Sequence, residues 1–242
     1  MRVLVLSCVV AAACASSAGR PRAEPPAGPV ALPAETNLIA GEQMVWEVFW
    51  RGVTIGKASL AVDGPRAHSK FATTLLAKAL ADVRYELTTT LAAQVAREAS
   101  ELVVLDGETT RTELRLDGGR YRINTLPGEV PGGTALHTLH SALGALRAWA
   151  TEDAQRGYLW LALRGKLYRL DAARPEPETL DGIRTLRVEC VVRALDPTMD
   201  QVDVTVWLST SPDRTPVRIV VETSGERIAA QLTETTATFA VR

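Results

Sequence analysis

The chain has 242 residues, 23% of them charged, and a formal net charge of −1 at pH 7. This near balance, with no basic stripe in any segment, excludes a nucleic-acid footprint. The length suits one sizeable domain rather than several.

The N-terminus reads as an export signal, residues 1–13. Met1 and Arg2 form a charged start, Val3 to Val10 is apolar, and Ala11, Ala12 and Ala13 precede Cys14. A charged start, a short apolar core and small residues before a cut site define such a segment. It is too short to span a bilayer, which takes about 20 apolar residues. Ala11-Ala12-Ala13-Cys14 resembles the bacterial lipobox, whose cysteine is diacylated with palmitate-class chains and becomes the first mature residue. Ala11 stands where that motif has leucine, and cleavage before Cys14 without lipid is the alternative. Cys14 is thus the candidate lipidation site. Cys8 leaves with the signal, and Cys190, inside the apolar run LRVECVV, reads as a buried small hydrophobe. Residues 14–36 read as a linker. Pro21, Pro25, Pro26, Pro29 and Pro33 stand among small residues with too little apolar surface to fold. A tether of this kind places the protein in the cell envelope. By resemblance to bacterial lipoproteins, Ala15 and Ser16 imply the outer membrane, facing the periplasm. The alternative is a soluble periplasmic protein.

The domain proper is expected over 37–242. Residues 43–51, QMVWEVFWR, alternate with period two, placing Met44, Trp46, Val48 and Trp50 on one face. Gly52 and Gly56 flank an expected turn, with a return strand at 57–62. Further strands are expected at 70–77, 83–92 and 109–117. Asp117-Gly118-Gly119 then supplies the positive-φ positions of a tight turn into 120–125. One segment changes period. In 137–150 the residues Leu139, Ala142, Leu143, Leu146 and Trp149 form a helical stripe, with Thr134 or Thr138 as cap. A short helical turn is expected at 77–82. Strands follow at 157–163, 166–171, 184–194, 201–209, 216–223 and 226–238, the last four rich in Thr and Val. The fold class is mainly β: an antiparallel curved sheet, barrel or half-barrel with one amphipathic covering helix at about 138–150.

These segments resemble the domain of unknown function 3108 family. The opening GEQMVWEVFWRGVTIGKASLAV is similar to that family's first hairpin at Gly41, Glu42, Trp50, Gly52, Gly56, Ala58 and Leu60, with Trp46 in place of tyrosine. SALGALRAW resembles its short helix, which ends in an arginine, here Arg147. LDGIRTLRVECVV resembles a hairpin with Gly182 before the strand. The ending matches at Trp207, Ser209, Asp213, Pro216, Val217, Gly225 and Leu232. The resemblance runs over 40–240 and implies an exported, mostly β envelope protein of Gram-negative bacteria. It implies no activity.

No catalytic motif stands out: there is no G-x-S-x-G, H-E-x-x-H or S-x-x-K. Glu42 with Glu47, or Asp181 with Glu189, are carboxylate pairs whose approach spacing does not supply. His137 and His140 lie three apart on the expected helix, but zinc needs a third ligand. No cofactor and no metal are implied. In STSPDRTP (209–216), Asp213 and Arg214 read as a turn with a surface ion pair. Trp46, Trp50, Trp160 and Trp207 are the candidate ligand-lining residues, Trp46 and Trp50 lying about 13 Å apart along one strand. The functional expectation is a noncatalytic envelope lipoprotein that binds or chaperones an apolar or glycan-like component. It would touch the membrane through its anchor and take an envelope lipid, glycan or protein as partner. The alternatives are a structural subunit of an export or motility complex and an envelope-polymer hydrolase.

Overall fold

The computed structural model describes residues 28–79, 81–195, 201–223 and 225–235. Cys14 and the signal lie outside them. The strands in chain order are β1 (Val30–Ala31), β2 (Gln43–Trp50), β3 (Val53–Asp63), β4 (Arg66–Thr73), β5 (Val83–Ala92) and β6 (Val95–Leu105). Next come β7 (Glu108–Asp117), β8 (Arg120–Ile123), β9 (Leu126–Glu129), β10 (Leu136–His137), β11 (Gly157–Leu163) and β12 (Lys166–Ala172). β13 (Glu176–Leu180), β14 (Ile183–Ala194), β15 (Gln201–Ser209), β16 (Pro216–Thr223) and β17 (Glu226–Thr235) complete the set. The α-helix among the described residues is α1 (Leu139–Trp149).

All seventeen strands of the described residues form one sheet, ordered β1-β10-β11-β12-β13-β14-β15-β16-β17-β2-β3-β4-β5-β6-β7-β8-β9. Chain neighbours pair antiparallel from β2 to β9, from β11 to β12 and again from β13 to β17. The two meanders join where β17 pairs with β2, Leu232 opposite Trp46 and Ile228 opposite Trp50. The long β14 takes β12 along one half and β13 along the other. The sheet is open, and it curls until its β11 edge lies inside the opposite arm. One face of β11 (Leu159, Leu161, Leu163) packs with β12, β14 and β15. The other face, Trp160 and Ala162, packs with Leu87, Ala99, Leu114 and Ile123 of β5 to β8. The β11–β12 turn pins this contact: the Arg164 amide donates to Glu101 Oε2 at 2.7 Å. The fold class is as expected, mainly β with one helix.

α1 occupies the concavity. Ala142, Ala145 and Leu146 belong to one core cluster, and Leu139 and Leu143 pack on the other. It is therefore buried nearly all round, its polar face included. Its polar residues His140, Ser141 and Arg147 are buried as well. The Thr138 side chain caps it by accepting from the Ser141 amide, while Ser141 Oγ accepts from the Thr138 amide. Gly144 is required by packing: a Cβ there would lie 2.5 Å from Thr36 Cβ.

Several elements differ from the sequence expectation. The chain enters the sheet at Val30, ahead of the expected boundary at residue 37. β1 pairs parallel with β11, and Leu32 is buried in the core. The first turn is Arg51–Gly52, both at positive φ, and β3 starts at Val53. Gly56 sits inside that strand, where a Cβ would meet Phe71 and the Ala72 carbonyl at about 2.6 Å. The expected helical turn is a 3-10 turn at Ala77–Ala79.

Candidate functional site

The curl of the sheet leaves a cavity of about 320 Å³ between its concave face and α1. The strands bring their inward-facing residues there: Trp46 and Val48 from β2, Phe71 from β4, Val103 from β6, Val204 from β15. Leu143 of α1 completes the opposite side. The lining is almost wholly apolar, mostly aliphatic with Trp46, Phe71 and Tyr85 as its aromatic residues. Its volume lies at the lower end of the range for small-molecule pockets.

The cavity reaches one end of the sheet, its mouth, and the register shows which. Lining residues include Val83, the first residue of β5, Leu105, the last of β6, and Val202, next to the start of β15. These positions lie at the same end as the Arg51–Gly52 turn and Thr73. The other end is filled by Leu38, Met44, Leu91, Ala96 and Leu116, all in one buried cluster. Arg164 lies on the lining near the mouth.

A polar latch holds α1 at the closed side. Arg147 donates to both oxygens of Glu42, at 2.7 and 2.8 Å, and both side chains are fully buried. Its Nε donates to the Asp213 carbonyl at 2.8 Å. The Asp213 carboxylate accepts from the Ser211 and Thr215 hydroxyls. Asp213 is therefore buried and committed inward, not part of a surface ion pair with Arg214. Next to it, Trp46 Nε1 donates to the Pro216 carbonyl at 3.1 Å. Bidentate pairing is what allows a guanidinium and a carboxylate to sit without water. This occupies Glu42 fully, and Glu47, adjacent in β2, points to the other face. Asp181 lies in the β13–β14 turn and Glu189 on the exposed face of β14. Neither imagined carboxylate pair converges.

A second polar group lies at the start of α1. His140 Nδ1 is 2.9 Å from Thr89 Oγ1, which donates to Thr138 Oγ1 at 3.0 Å. His140 lines the cavity and its Nε2 has no hydrogen-bond partner. Burial, helped by the charge of His68, lowers its pKa to about 3. His137 belongs to β10, not the helix. Burial lowers its pKa to about 4, against a backbone contact with Ser141. Both rings are neutral at pH 7. Among the described residues no three His, Cys, Asp or Glu side chains cluster as metal ligands. At the seam with β11, burial raises Glu101, and burial together with that carboxylate raises the Tyr85 hydroxyl well above its ordinary range. Burial pushes the Cys190 thiol up to about 12, which leaves it unreactive.

The four tryptophans named from the sequence separate. Trp46 lines the cavity. Trp50 shares its face but stands at the rim, where Nε1 donates to Glu226 Oε2 at 2.7 Å and Arg51 stacks on the ring. Trp160 is buried in the seam between β11 and the opposite arm. Trp207 faces outward, bonding Glu178 and lying under Arg218. Parity within β15 carried this signal, since Val202, Val206 and Leu208 alternate with it and are buried. The aliphatic residues that form most of the lining had no mark of their own in the sequence. They are ordinary strand residues until the curl is known.

No protein-family model and no curated protein matches the chain. Among solved structures it is similar to a beta-barrel-like protein of domain of unknown function DUF1849 from Brucella abortus. The TM-score is 0.58 at 9% identity, over 81% of this chain and 98% of that one. That likeness is one of fold. Weaker likenesses are to a DUF1089 family protein from Pseudomonas aeruginosa (TM-score 0.43, 14% identity, 70% of this chain and 91% of that one) and to the Mycobacterium tuberculosis lipoprotein LppX (0.28, 14%, 84% and 90%).

Proposed function

We propose that this protein is a noncatalytic cell-envelope lipoprotein, anchored through Cys14, that binds or chaperones an apolar envelope component. The observation that carries the reading is the cavity: apolar walls, a lining that reaches the mouth end of the sheet and a buried helix as its inner wall. Such a lining rewards burial of alkyl groups at about 25 cal/mol per Å² and offers a glycan almost no hydrogen-bond partners. The ligand class is therefore an alkyl or acyl chain with a polar head. The chain would lie against Val103, Val204 and Leu143, and the head would stay near Arg164 at the mouth. The neutral His140 ring is one polar spot on that lining, and the Tyr85 hydroxyl is another. The signal, the lipobox-like Cys14 and the resemblance to the domain of unknown function 3108 family support the envelope address, with the outer membrane as the expected anchor site. Native mass spectrometry of protein extracted from envelopes tests the reading. We expect a co-purifying acyl or alkyl species that is lost when Leu143→Trp fills the cavity. Extraction with no bound species, or a bound species indifferent to that change, would overturn it.

A further inference from the structure

Seven large apolar residues are exposed among those described: Val30, Val53, Leu75, Leu76, Leu126, Ile183 and Leu195. Four of them, Val53, Leu75, Leu76 and Leu195, lie at the end of the sheet that the cavity reaches. Leu75 and Leu76 are the most exposed, at 86% and 87%. They sit in the β4–β5 connection, which is fixed from beneath. Ala77 and Ala81 are buried against Val48, Ile55, Phe71 and Val83 at the mouth. The Thr74 hydroxyl accepts from the Ala77 amide, and Lys78 pairs with Asp82 at 3.4 Å. Two leucines are thus held outward on a braced turn beside the end of the sheet that the cavity reaches.

We propose that the Leu75–Leu76 turn is a bilayer-docking tip that seats the cavity mouth on a lipid surface. This rests on the reading of the protein as a tethered apolar-ligand binder. Three observations favour a bilayer over a protein partner. First, the tip is small. A specific protein interface covers about 800 Å² per partner, whereas a bilayer takes up side chains singly, by their apolar area. Second, the ion pairs beside it, Lys78 with Asp82 and Arg51 with Glu226, add no net charge of their own next to the leucines. Third, the chain can reach. Val30 pairs with Gly157 at the closed end of the sheet. From there to the mouth is the length of a strand such as β3, about 35 Å at ~3.3 Å per residue. Residues 15–27, between Cys14 and the described chain, span at most roughly 45 Å at ~3.6 Å per residue. A protein anchored at Cys14 can therefore turn its mouth to the membrane that holds it.

The test uses the full chain carrying Cys14→Ser, so that no acyl anchor contributes, and vesicles of phosphatidylethanolamine with a minority of phosphatidylglycerol. We expect the protein to float with vesicles in a density gradient. Leu75→Glu/Leu76→Glu should weaken partitioning at least about tenfold, from the loss of two buried leucines. Leu126→Glu, on the β8–β9 hairpin away from the mouth, should leave it unchanged. Circular dichroism and Tm confirm that the variants fold. Absence of flotation, or equal loss in the Leu126→Glu control, would overturn docking. So would a self-association without vesicles that the leucine pair alone explains. Mass spectrometry of bound species in the same preparations separates the two ideas. A Leu75→Glu/Leu76→Glu protein that still floats refutes docking even if its cavity carries ligand. A protein that floats through this pair but never carries a ligand refutes the cavity reading and leaves docking standing.

Discussion

Removing the Arg147 guanidinium should be among the most damaging single changes to this fold. Arg147→Met keeps the helix propensity and most of the stem volume. It leaves the Glu42 carboxylate fully buried with its two bidentate partners gone, and the Asp213 carbonyl without its donor. Breaking a buried ion pair from one side costs about 3–5 kcal/mol, mostly as the uncompensated charge. For a domain of this size, each kcal/mol moves Tm by about 2–4 °C, so a fall of roughly 6–20 °C is expected. The double variant Glu42→Leu/Arg147→Met removes both charges together. It should recover to within about 2 kcal/mol of the parent, the residue of the loss being the Asp213 carbonyl. Urea unfolding followed by tryptophan fluorescence gives all four corners of the cycle, and a coupling of about 2 kcal/mol or more is expected. An Arg147→Met protein within about 1 kcal/mol of the parent would refute the reasoning. So would a double variant less stable than either single one.

The two buried histidines predict a pH dependence. Their folded pKa values, about 4 and about 3, lie below the unfolded value of about 6.5, so the unfolded chain takes up protons first. Their stabilising contribution is complete above pH ~6.5 and falls as pH drops toward those folded values, by about 2–4 kcal/mol between pH 7 and 5. Glu101, raised by burial, acts in the opposite sense. His137→Gln/His140→Gln should flatten the pH 7 to 5 stability slope measured by urea titration, and an unchanged slope would show that the rings are not held neutral. Gly144→Ala forces a Cβ to within 2.5 Å of Thr36 Cβ and should cost about 1–3 kcal/mol despite the gain in helix propensity. A stabilised Gly144→Ala protein by thermal melting would mean that residues 36–38 do not pack on α1. Trp46→Phe leaves the Pro216 carbonyl without its donor and should cost about 1–3 kcal/mol in the same unfolding assay, against near neutrality for Trp207→Phe on the outer face.

Alternation was enough to place β2, β5 and β15, because one face of each is buried along its length; β11, buried on both faces, was legible as a short apolar run. Alternation missed β6, whose inward Glu101 breaks the apolar parity, and β9 and β13, whose Pro127 and Pro177 argue against strand. β1 and β10 are two-residue strands created by docking on β11, so no local pattern marks them. The helix was legible from its stripe, but its burial was not. Arg147 reads as a solvated charge until Glu42 and Asp213, 105 and 66 residues away, are known to meet it. The cavity was legible only as Trp46. Its other walls depend on how far the sheet curls, which is set by contacts between β11 and β5 to β8 that no window of sequence contains.

The pairing of β17 with β2 has a consequence for how the chain is made. Every other antiparallel pair joins strands close in sequence, and such hairpins form early because their loops are short. This seam joins Trp46 to Leu232, so it waits for nearly the whole chain. Until then β2 has one unpaired edge carrying Met44, Trp46, Val48 and Trp50, a template for pairing with another copy. A nascent or truncated chain therefore carries its most adhesive strand at its leading end and the strand that silences it at its trailing end. Its survival in the crowded interval between the two depends on whatever shields residues 43–50 before residue 235 arrives.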